Sequence, residues 1–168
     1  METDQPAGRQ EIIYRYAAKK AVEDLRSSHA IDETLQQHLG EHPLLGYCRD
    51  AVNADDKDML KKNAAAGENP LTLRRLCLKL LRPFEKDRDV KDFSYTLWKT
   101  SPDYEIKLEV LWSLLSYADL SMEIYADIGR HFDAANWDKW LPLIVEKLEG
   151  DRDEKNHVKE IMKRYFNL

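Results

Sequence analysis

His38 and His42 lie four residues apart with Cys48 close behind, and they are the first residues whose spacing could do chemistry. Histidines at i, i+4 put two metal ligands on one helix face. Here Gly40 falls between them and Pro43 follows, so the helix is expected to end there. A structural zinc site also needs four ligands, and no fourth is in view. The pair reads as loop histidines. Glu154-Lys155-Asn156-His157 is one E-x-x-H, where a di-iron bundle uses two such motifs and two further glutamates. It reads as a solvated charged helix. Asp87, Asp89 and Asp92 lack the glycine and distal glutamate of a calcium loop and read as a charged connector. No nucleophile elbow occurs, and the six glycines are scattered as helix stops rather than gathered into a phosphate loop. The expectation is a non-enzymatic protein without metal or cofactor. An enzyme would have to gather His38, His42 or His131 with carboxylates from distant parts of the chain.

Residues suited to binding are easier to find. Arg74, Arg75, Lys79 and Arg82 occur with no acid between Pro70 and Phe84. Arg75, Lys79 and Arg82 fall at i, i+4, i+7, one stripe on a helix. Such a stripe is ordinarily a solvated face balanced by nearby acids, here Asp55, Asp56, Asp58 or Asp87. It is equally placed to meet an acidic protein surface or nucleic-acid phosphates. Trp137 and Trp140 sit three apart beside Pro142, in an otherwise small and charged run. Two indoles on such a corner can clamp a bundle shut, each burying about 150–250 Å². One left exposed would be an interface anchor.

Helices must position these residues, because the apolar spacing is helical nearly throughout and strand alternation is absent. Residues 1–9 read as a flexible tail. A helix is predicted over 10–26, with Ile13, Ala17, Ala21 and Leu25 inside. A short one follows over 31–39, capped by Asp32. The next, over 44–52, turns Leu44, Tyr47, Cys48 and Val52 inward. Asp55 and Asp56 cap a polar helix ending near Gly67. The segment 63–70 is a candidate hinge inside a single helical domain, 10–168. Asn69 and Pro70 start the cleanest amphipathic helix, with Leu73, Leu76, Cys77, Leu80, Leu81 and Phe84 on one side and the basic stripe outside. Pro83 closes it. Another helix passes through Phe93, Leu97 and Trp98, with Trp98 expected in the core. Ser101 and Pro102 start a helix over 104–117 that is apolar almost all round, the expected centre of a bundle. Further helical pattern around 122–128, 142–148 and 153–166 brings the total to nine or ten. The fold class is all-α, a compact multi-helix bundle.

The 168 residues carry a net charge of −5, with 43% hydrophobic and 34% charged residues. That balance argues against a generic nucleic-acid or anionic-membrane binder. The first ten residues carry no apolar signal segment, and no run approaches the ~20 apolar residues that span a bilayer. With two cysteines expected as free thiols, the compartment is expected to be cytoplasmic or nuclear.

The leading expectation is an adaptor or regulator that binds another protein through a helical face, using Arg74, Arg75, Lys79, Arg82, Trp137 and Trp140. An RNA- or nucleoprotein-associated subunit using helix 70–83 is the alternative. A hydrophobic helix wrapped by amphipathic ones is also similar in architecture to Bcl-2-like folds, and the N-W-x-x-W-L turn to death-fold modules. That analogy would imply a regulator of apoptosis or innate immunity. Asn136-Trp137 is followed by Asp138-Lys139, not by the Gly-Arg of a BH1-type stretch, so the likeness is one of architecture alone.

Overall fold

The structure is a computed structural model and describes residues 4–115. Their regular secondary structure is all helical, with no strand among the described residues. Seven α-helices follow in order: α1 Asp4–Arg26, α2 Glu33–Leu39, α3 Leu44–Ala51, α4 Lys57–Ala65, α5 Leu71–Leu81, α6 Arg88–Thr100 and α7 Tyr104–Leu115. Short 3-10 turns, Ala54–Asp56 and Arg82–Phe84, precede α4 and follow α5. The helices predicted around 122–128, 142–148 and 153–166, and with them the count of nine or ten, lie outside the described residues. The chain divides into two compact units, 1–85 and 86–168. The segment 63–70 lies inside the first unit.

Helix α1 begins at Asp4, earlier than the tail predicted to residue 9. Pro6 falls in its first turn, where a missing N–H costs nothing. The helix ends in a backbone C-cap. Ser28 N–H bonds Leu25 C=O at 3.2 Å and His29 N–H bonds Asp24 C=O at 2.8 Å. Ser28 stands at the turning point with φ 58°. A left-handed residue there usually is glycine, because a Cβ crowds the following carbonyl. Ser28→Gly is therefore expected to raise stability by about 0.5 kcal/mol, after the entropy that glycine adds to the unfolded chain. A rise in the urea midpoint at unchanged slope would register it.

In the first unit α1 packs on α3, and α5 packs on α2, α3 and α4. The core holds Ala18, Ala21, Val22 and Leu25 from α1, Leu39 from α2 and Cys48 from α3. Leu60 and Ala64 come from α4, and Leu76, Cys77, Leu78, Leu80 and Leu81 from α5. Each fully buried leucine contributes roughly 1.5–3 kcal/mol. No residue of α5 is fully exposed. Its predicted wet outer side is absent: Leu78 is buried along with Leu76, Cys77, Leu80 and Leu81, whereas Leu73 and Phe84, predicted inside, are only half-buried. Gln36 ties α2 to α5 inside this core. Its Nε2 donates to Ile31 C=O at 2.8 Å, and its Oε1 accepts from Thr72 Oγ1 at 2.6 Å.

In the second unit α6 packs on α7. Val90, Leu97 and Trp98 of α6 are buried, as are Ile106, Leu108, Val110, Leu111 and Leu114 of α7. Burial all round α7 follows from its near-continuous apolar sequence, and it extends to Glu109 and Ser113. Ser101 ends α6, and its Oγ accepts from Asp103 N–H at 3.3 Å, turning the chain into α7.

Candidate partner-binding surface

The basic residues of α5 do not share one surface. Arg74 is 5% exposed, and its Nε donates to Ala64 C=O in the last turn of α4 at 2.9 Å. Lys79 is half-buried, and its Nζ donates to Gly40 C=O, at the C-cap of α2, at 3.1 Å. Arg75 and Arg82 are half-buried too, and Arg82 Nε lies 3.9 Å from Glu85. The acid near Arg82 is thus one turn away in sequence, whereas Arg74 and Lys79 are met by backbone.

The same device recurs in α1 and α3. Arg49 Nε donates to Lys79 C=O in the last turn of α5 at 3.1 Å. Arg26 Nη2 donates to Ala51 C=O, the last residue of α3, at 3.0 Å. The C-terminal turns of α2, α3, α4 and α5 each therefore receive a cation from another helix. The last carbonyls of a helix lack intrahelical donors and carry the negative end of its dipole. A guanidinium or ammonium group answers the dipole and supplies a donor, although the Lys79 carbonyl also accepts the Arg82 N–H. α1 ends in its own backbone cap.

Arg26 also joins Asp56, with Nε to Oδ1 at 2.7 Å and Nη2 to Oδ2 at 2.8 Å. Asp56 Oδ2 accepts Asn53 N–H at 2.9 Å, and Asn53 Oδ1 accepts Asp55 N–H at 2.9 Å. Asn53 is thus the cap of this turn, and Asp56 closes a reciprocal capping box. Hydrogen bonds from Arg26 hold the Asp56 carboxyl below its usual range, against the opposing effect of burial, with the Asn53 N–H assisting.

Exposed apolar groups concentrate on α1. Ile12 is 69%, Ile13 62% and Tyr16 69% exposed. The inner stripe of α1 runs instead through Tyr14, Ala18, Ala21, Val22 and Leu25. Tyr14 faces Tyr47 of α3 with ring centroids 6.5 Å apart, and Arg15 stacks over Tyr47 at 5.1 Å while bonding Glu11. These contacts fix the rotation of α1 and leave Ile13 about 140° round the helix from Ala18. The predicted inner position of Ile13 is corrected accordingly. Arg9, Lys19 and Lys20 are exposed beside the isoleucines, and Lys20 lies 3.4 Å from Asp24.

Trp137, Trp140, His131 and the Glu154–His157 motif lie outside the described residues. Among the described residues no three His, Cys, Asp or Glu side chains come together as a metal site. No described helix is long and apolar enough to cross a membrane. Cys48 and Cys77 are free and buried, and burial pushes both thiols up to about 12. The thiolate is the reactive form, so neither cysteine is expected to be alkylated by iodoacetamide at neutral pH until the chain is denatured. Mass shifts before and after urea would show this. No family model, curated protein or solved structure matches the chain.

Proposed function

We propose that the protein is a non-enzymatic helical interaction module, an adaptor or regulator, that binds a second protein through the outward face of α1. The observation that carries this reading is the exposure of three large apolar side chains, Ile12, Ile13 and Tyr16, on one helix. Single exposed apolar residues are ordinary, but a contiguous set with a charged rim is the composition of an interface. Tyrosine at its centre adds a rigid anchor of the kind that dominates binding energy. The α5 cations Arg74 and Lys79 serve the fold in this reading, and Arg75 and Arg82 remain as secondary contacts.

The test is a tagged full-length pull-down read by mass spectrometry. Ile12→Asp with Tyr16→Asp should reduce recovery of a nuclease-resistant protein partner at least tenfold. Circular dichroism should stay unchanged, because both side chains already face solvent. Arg75→Glu should leave most of the recovery intact. An unaltered partner set in the α1 variant removes α1 as the binding face.

A further inference from the structure

The outward face of α1 also carries information about what it binds, and this step rests on the interaction reading above. Arg9, Ile12, Ile13, Tyr16, Lys19, Lys20 and Glu23 fall within a strip about 120° wide, at 100° per residue. Every one of them is exposed. Their order along the helix is cation, apolar pair, tyrosine, cation pair, acid. Apolar groups at i, i+3 or i+4 form the seam that one helix offers another. Three cations and one acid border it, Lys20 also lying 3.4 Å from Asp24 just beyond the strip, in a chain whose net charge is −5. The strip is thus a local reversal of the molecule's charge.

We infer that the occupant of this strip is an acidic amphipathic helix of another protein, laid along α1. Its apolar side chains stand at i, i+3 or i+4 and i+7 against Ile12, Ile13 and Tyr16. Its carboxylates bracket that seam so as to meet Arg9 at one end and Lys19 and Lys20 at the other. The two cationic ends are ten or eleven residues apart, about 15–17 Å along the axis at 1.5 Å per residue. The occupant therefore needs acids about three turns apart. A second copy of this chain fits poorly, because the same strip would bring three cations against three. An anionic bilayer is disfavoured by the charge of the whole chain, which repels it at long range. A strip of four turns is small beside a standard interface of about 800 Å² per partner. The complex is accordingly transient, and its on-rate depends on salt.

The test places the photo-crosslinker benzoylphenylalanine at Tyr16 in the full chain, in cells, with a control at exposed Lys62. Sequencing the adduct identifies the segment bound. The expected adduct is a protein segment with apolar residues at helical spacing and flanking Asp or Glu, absent from the Lys62 control. Its yield should fall at least tenfold when Arg9, Lys19 and Lys20 are changed to Glu. An adduct with a second copy of the chain, with lipid or with nucleic acid overturns the inference. So does a protein segment lacking the acidic helical pattern or a yield indifferent to the charge change, though a protein adduct of either kind leaves the interaction module standing. No adduct at Tyr16, together with an unaltered pull-down, removes both.

Discussion

Arg74→Ala is expected to cost about 3 kcal/mol of folding stability, a large share of the 5–15 kcal/mol typical of a whole domain. Three losses combine. The charge-assisted bond from Nε to Ala64 C=O disappears, worth about 1.5–3 kcal/mol by itself. The carbonyl of buried Ala64, in the last turn of α4, loses a donor. The space left by the side chain stays partly empty, since packed surroundings relax only in part. Arg74→Met separates these losses, because it keeps most of the volume and removes every donor. Its cost should be smaller than alanine's but still above 1 kcal/mol. Arg74→Lys keeps the charge without the planar fork and should fall short of arginine. Urea unfolding measures all three. Amide exchange then locates the effect: the end of α4 and the segment 63–70 should exchange faster in each variant, ahead of α1. If Arg74→Met unfolds at the wild-type midpoint, the bond to α4 contributes nothing and Arg74 is merely enclosed.

The difference between Arg74 and an ordinary surface arginine could not be read from α5 alone. Spacing located the helix, its proline stop and its inner leucines, because period 3.6 is a property of one segment. What lies on the other side of that helix depends on where α2, α3 and α4 end. Those endings lie at Gly40, Val52 and Ala66, all outside α5 and, for Lys79 and Gly40, 39 residues apart. A run of cations without acids therefore looks like a solvated stripe, although two of its members, Arg74 and Lys79, reach carbonyls of other helices, and every residue has a carbonyl.

The rotation of α1 failed for a related reason. Between Ile12 and Leu25 the helix holds nine apolar residues: Ile12, Ile13, Tyr14, Tyr16, Ala17, Ala18, Ala21, Val22 and Leu25. That is more than one face can bury. An i, i+4 series runs equally well through Ile13 or through Tyr14 and Ala18, and the packing of α1 on α3, with Tyr14 against Tyr47, decides between them. The surplus was nevertheless a signal. A helix with too many apolar residues for one face must show some of them to solvent or to a partner. By contrast α7 was legible, since a helix apolar on every side has one way to be stable.

Asp56→Asn is the second large effect, expected at about 2–4 kcal/mol near neutral pH, because it breaks a bidentate pair whose acid is buried. The carboxylate holds Arg26 and the Asn53 N–H together, and Arg26 in turn reaches the end of α3. Asparagine can accept one of these bonds but turns an NH₂ toward the guanidinium. The pH dependence distinguishes this role from simple packing. The folded carboxyl titrates below its ordinary value because Arg26 bonds its charged form. The unfolded chain titrates near 3.9. Above that value both states are ionised, and the stabilisation is complete. As pH falls below it the unfolded state takes up a proton first, so stability declines until the folded carboxyl is protonated too. The gap between wild type and Asp56→Asn should therefore be constant from about pH 5 upward and narrow below about pH 4. Denaturant midpoints for both proteins between pH 3 and pH 7 give that difference directly. A gap that keeps its full size at pH 3 would mean that the pair with Arg26 is not what Asp56 contributes, leaving the shape of the capping turn as the cause. Arg26→Lys completes the test, since a lysine keeps the charge but cannot bond both carboxylate oxygens and the Ala51 carbonyl in one fork. It should lose about half of what Asp56→Asn loses, with the same acid limb.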